Sequence, residues 1–118
     1  MDIREVEEIL SSFPVLRKPT HILFIQEPVY KNHTYVYRGA TFLGSDVIAL
    51  TPHANDETVV HEFLHTLGIG EFGAYKLAPI LNKIRKFRIL KIPVHYEECK
   101  GCEVKEAHRG NVKHYVRI

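Results

Sequence analysis

Within five residues, His61-Glu62-Phe63-Leu64-His65 holds the donor set of a hydrolytic metal centre. Two histidines four apart on a helix sit one above the other on one face, so both imidazoles reach a single Zn²⁺ while Glu62 lies beside the ion's water. Zinc draws the acidity of that water toward neutrality. Glu62, as general base, takes its proton during attack on a peptide carbonyl and then delivers it to the leaving amine. Although the chain carries eight histidines, shuffling its composition yields this pattern only about 0.05 times per chain. The plain alternative is a surface helix with two solvated histidines. A catalytic zinc takes three protein ligands and keeps a fourth position open. Glu71 is the first candidate for the third, because Gly68 and Gly70 permit a sharp reversal after His65 that returns the start of the next helix to the metal. An acidic residue there also stabilises a helix dipole without any metal. His95 is the second candidate.

These residues need a helix, and the local pattern supplies one. Pro52 ends the preceding strand, Asn55 or Asp56 caps the helix, Asp56 and Glu57 give its first turn the expected acidic bias, and Val60, Phe63, Leu64 and Leu67 form its apolar stripe. Gly68-Ile69-Gly70 breaks it. A second helical pattern follows on Phe72, Tyr75, Leu77, Leu81, Ile84 and Phe87, in which Pro79 must kink the helix or begin a new one. Upstream, Ile3, Val6, Ile9 and Leu10 mark a short opening helix, and His21 to Ile25 reads as a buried strand. Tyr35 to Arg38, Ala40 to Leu43 and Val47 to Leu50 read as further strands with at least one hairpin. The expected fold is α+β: a small, mostly antiparallel sheet of three or four strands on the active-site helix and a second long helix. From Pro93 the chain is polar and irregular, a tail over 93–118 with Val112, Tyr115, Val116 and Ile118 as a possible terminal strand.

At 118 residues and 45% hydrophobic the chain fits one compact domain, 1–118, and neither a disordered nor a collagen-like class. A net charge of +2 makes no strong case for a nucleic-acid or membrane partner. No secretory leader and no bilayer-spanning run is apparent, so a cytoplasmic, non-membrane protein is expected, in which two cysteines suggest thiols or metal ligands before a disulfide.

With His61, Glu62, His65 and Glu71 in hand, the chain resembles the gluzincin class of zinc peptidases, in which a glutamate on the next helix completes the site. Gly70-Glu71-Phe72-Gly73-Ala74-Tyr75-Lys76-Leu77-Ala78 is similar to the E-x-x-A-D segment of HtpX-like membrane peptidases, with Tyr75 where the aspartate usually stands. In size and in lacking membrane helices the chain most closely resembles the minigluzincins, in layout over 1–92 and by specific motif over 57–78. The resemblance implies one catalytic zinc and a peptide or protein substrate paired with an edge strand above the cleft, here Gly39, Ala40, Thr41, Phe42 and Leu43. It also implies latency, with the protein's own or a neighbouring chain's tail in the cleft and His95, Cys99, Cys102, His108 or His114 replacing the catalytic water. His53 and Tyr75 are candidate donors to the transition-state oxyanion.

A different class follows from His95, Cys99, Cys102 and His108, enough nitrogen and sulfur for a structural zinc knuckle. That reading makes the protein a binding module, with Lys83, Arg85, Lys86, Arg88 and Lys91 as a basic face for nucleic acid or protein.

Overall fold

The computed structural model describes residues 1–88, 90–100 and 112–118. The opening helix α1, Ile3–Ser11, is capped by the Asp2 carboxylate on the Glu5 amide, and Val6, Ile9 and Leu10 are buried at their helical spacing. Strands β1 (His21–Ile25), β2 (Val29–Tyr30), β3 (Val36–Tyr37), β4 (Gly39–Ala40) and β5 (Val47–Leu50) lead to α2 (Asp56–Thr66) and α3 (Glu71–Arg85). The chain closes with β6 (Tyr96–Glu98) and β7 (Val112–Arg117).

The class is α+β, with a five-stranded sheet in the order β4-β5-β1-β7-β6 and a separate β2-β3 hairpin. Pairing is mostly antiparallel, but β1 and β5 run parallel, His21 opposite Val47. Alternation along β1 and β5 sends Ile22, Phe24, Ile48 and Leu50 into the core against Val59, Val60, Phe63 and Leu64 of α2. Phe13 stacks on Phe63 at 5.0 Å between centroids. Among the described residues no helix is long and apolar enough to cross a membrane.

The possible terminal strand on Val112, Tyr115 and Val116 is β7, and the tail adds a second strand, β6, that the sequence pattern did not suggest. Far from being an appendage, the described part of 93–118 is structural: β7 pairs along the whole of β1, and β6 forms the far edge. Val94 and Tyr96 are buried in the core. The Tyr96 hydroxyl donates to the Pro19 carbonyl at 2.7 Å, its amide donates to Glu7 Oε1 at 2.8 Å, and burial pushes its hydroxyl pKa well up. Only long-range pairing makes so polar a segment part of a core.

Pro79 neither ends α3 nor starts a new helix. It sits inside the helix on the exposed, cleft-facing side. Two of the expected basic-face residues are also otherwise engaged. Arg85 is buried and pairs with Asp56 at 3.0 Å, locking the end of α3 to the start of α2, while Lys91 pairs with Glu8 at 3.3 Å.

Two stability predictions follow from these contacts. Tyr96→Phe should cost about 1 kcal/mol in urea unfolding by removing the bond to Pro19, and deleting 93–118 should give a chain that loses cooperative unfolding, since β1 loses its neighbour. His114 on β7 lies 2.8 Å from His21, its Nδ1 buried without a partner, and burial first and then the facing His21 hold its pKa below the ordinary 6.5. The unfolded chain therefore binds this proton more readily than the fold. The contribution to stability is intact above about pH 6.5 and is lost as pH falls below that value. Melting temperatures measured between pH 8 and pH 5 should fall less steeply in His114→Gln than in the parent.

Candidate metal centre

Local signals build the site from both ends of α2. At its start Asn55 Oδ1 accepts from the Thr58 amide at 2.9 Å while the Thr58 hydroxyl accepts from the Asn55 amide at 3.2 Å, a reciprocal cap. At its end Gly68 adopts φ +89°, its amide donates to the His65 carbonyl at 3.0 Å, and the Ile69 amide donates to the Leu64 carbonyl at 3.1 Å. That is a Schellman motif, with glycine where L side chains fit poorly. Gly70, by contrast, has φ −69° and caps α3 in a conformation open to any residue, so one glycine, not two, carries the reversal.

The reversal makes Glu71 the first residue of α3 and returns its carboxylate to α2. Its Oε1 lies 3.1 Å from His61 Nε2 and its Oε2 lies 2.9 Å from His65 Nε2, with the two Nε2 atoms 3.1 Å apart. Among the described residues this trio is the cluster able to hold a metal ion. His65 Nδ1 is 2.8 Å from the Ile69 carbonyl. A carbonyl only accepts, so Nδ1 carries a proton and Nε2 is the nitrogen turned toward Glu71 and His61, where it would bind a metal. Two imidazole nitrogens and a carboxylate thus converge on one point, a donor set that could hold a divalent cation. Zinc–nitrogen bonds of about 2.0–2.1 Å place tetrahedral donors roughly 3.3 Å apart, within a few tenths of an ångström of the observed edges. The residues fit the ion.

Glu62 lines the same cleft beside the trio and is 5% exposed, yet its Oε2 has no hydrogen-bond partner. Burial raises its pKa above the ordinary carboxylate value, opposed by the Thr41 hydroxyl and by His61 and His65. An unpaired buried carboxylate oxygen is costly, and such groups concentrate where a proton must be taken up.

The trio lines a cleft of about 1090 Å³ whose walls are residues 35–41 on one side and Tyr75 and Pro79 of α3 on the other. Strand β4 ends the sheet, so its outer edge is unpaired by any described strand. It crosses α2 closely: a Cβ on Gly39 would meet Thr58 Cγ2 at 3.0 Å, the Ala49 carbonyl oxygen at 3.1 Å and Glu62 Cγ at 3.1 Å. Of the five residues expected in the edge strand, Gly39 and Ala40 form it and Thr41 also faces the cleft. Phe42 and Leu43 leave it in a turn, where the Gly44 amide donates to the His65 carbonyl at 2.8 Å.

Tyr75 lines the cleft, whereas His53 is exposed and outside it, its amide capped by the Thr51 hydroxyl. His95 and His114 are not metal neighbours either. They belong to the β6 and β7 side of the sheet, separated from β4 by β1 and β5, and none of the described tail residues lines the cleft. Cys99 is disulfide-bonded and so offers no thiolate to a knuckle or to the cleft metal. Cys102 and His108 lie outside the described residues. The contribution of Gly39 was legible only as a glycine beside strand-forming residues; what makes it necessary is the helix beneath it.

No family model, curated protein or solved structure matches the chain.

Gly68→Ala should destabilise the protein by about 1–2 kcal/mol in urea unfolding, the cost of a left-handed backbone with a Cβ. Gly39→Val should lower the melting temperature further, because the Ala49 carbonyl oxygen is backbone and cannot swing away.

Proposed function

We propose that the chain is a zinc-dependent metallopeptidase of gluzincin type, with His61, His65 and Glu71 as ligands and Glu62 as general base and acid. The observation that carries this reading is the convergence of two imidazole nitrogens and a carboxylate beside a buried, partnerless carboxylate oxygen, on the wall of a cleft bounded by a strand edge that no described strand pairs. It is the donor set that the resemblance to minigluzincins implies.

When bound, zinc would supply Lewis acidity to the scissile carbonyl and make a coordinated water a better acid. The chain's own residues do the rest. The Ile69 carbonyl orients His65 through Nδ1, so the metal-facing nitrogen needs no rearrangement. Glu62 Oε2 holds a proton taken from the attacking water and releases it to the leaving amine, and its burial keeps that oxygen from being occupied by bulk solvent. An extended peptide would add to the outer edge of Gly39 and Ala40 through main-chain bonds, which places its carbonyls over α2 with little demand on side-chain identity. Tyr75, on the opposite wall, is the available hydroxyl donor to a developing oxyanion.

In the zinc-loaded full-length protein, Glu62→Gln should slow cleavage of casein or a quenched fluorescent peptide at least about 100-fold while metal analysis still finds one zinc per chain. His61→Ala should lose the zinc itself. The assignment fails if the Glu62→Gln protein cleaves at the parental rate, or if zinc content survives loss of both histidines.

A further inference from the structure

We propose that the outward face of α3 docks on an anionic lipid surface. Leu77, Ile80 and Ile84 recur at intervals of three and four and so share one stripe of α3, which Phe87 continues in the turn after the helix. None is buried: Ile84 is 57% and Phe87 81% exposed, and Leu90 extends the exposed apolar surface just past the helix end. At 100° per residue this stripe lies nearly opposite Glu71 and Tyr75, which face the cleft. A soluble surface helix ordinarily turns such a row inward. Here Ala74 and Ala78 already fill the inward face.

Charge identifies the occupant. No Asp or Glu occurs between residues 72 and 96, whereas Lys83, Lys86 and Arg88 lie exposed within the same stretch, and among the described residues none of the three has a carboxylate partner. Apolar side chains that enter the acyl boundary, bordered by Lys and Arg whose stems follow them while their heads reach lipid phosphates and carboxylates, are the pattern of an interfacial helix. A second copy on this face would set like charges against each other. Nucleic acid would engage the cations but leave the stripe in water. The sequence expectation of no membrane partner rested on a near-balanced net charge and on the lack of a spanning segment; a helix that lies on a bilayer needs no spanning segment, and it is the local charge of its own face that counts. With the stripe against lipid, the cleft on the far side of α3 stays open to solvent.

The test is co-sedimentation of the full chain with vesicles of phosphatidylcholine alone or with about 30% phosphatidylserine. Partition should be at least about tenfold stronger to the anionic vesicles and should weaken in roughly 0.5 M salt. The Ile84→Ser/Phe87→Ser and Lys83→Glu/Lys86→Glu proteins should each lose about tenfold in partition with unchanged melting temperature. Absent or composition-independent partition overturns the proposal, as does parental partition by both variants. It is equally overturned by a dimer in light scattering that Ile84→Ser/Phe87→Ser disperses, or by oligonucleotide binding without vesicle binding.

Discussion

His61 Nε2, His65 Nε2 and the Glu71 carboxylate meet at 2.9 to 3.1 Å, and holding three polar groups from two helices at that spacing constrains everything around them. The surrounding chain is arranged to do this. The reciprocal cap at Asn55 and Thr58 starts α2 in register, and the left-handed Gly68 stops it one turn after His65. The same reversal presents the Ile69 carbonyl to His65 Nδ1, which settles the tautomer, and puts Glu71 at the first position of the next helix. A cation bound among these atoms would stabilise the folded arrangement, so a site of this kind couples metal affinity to folding.

Glu62 poses the complementary problem, a carboxylate taken out of water by a strand laid directly over its helix. Gly39 lets β4 approach α2 to van der Waals contact, and the Thr41 hydroxyl opposes part of the cost of burial. A side chain on Gly39 would press on Thr58, Glu62 and the Ala49 carbonyl oxygen at 3.0 to 3.1 Å. The exposed edge of β4 and the buried carboxylate are therefore two consequences of one close approach. In the proposed peptidase they serve substrate and proton respectively.

The rest of the molecule is a frame that keeps α2 and β4 in place. β7 fills the side of β1 that β5 leaves open, β6 and Tyr96 tie the sheet to Pro19 and α1, and the Arg85–Asp56 pair fastens α3 to α2. α3 consequently serves three surroundings at once: Glu71 and Tyr75 face the cleft, Ala74 and Ala78 the core, and Ile80, Ile84 and Phe87 face outward.

Sequence by itself determined what depends on neighbours within a few residues. The caps and stripe of α2, the stacking of His61 over His65, the break at Gly68 and the return of Glu71 are all set by helical periodicity and the backbone range of one glycine, interactions that span at most about ten residues. The tertiary structure decided whatever depends on residues far apart. It paired β1 in parallel with β5, drew a polar tail into the sheet, turned Arg85 inward to Asp56, and placed His53, His95 and His114 away from His61, His65 and Glu71. Residue types carry no register between distant strands. A histidine or an arginine reads the same in the chain whether its eventual neighbour is a zinc site, a carboxylate or water, and only the packing of the whole core selects among them.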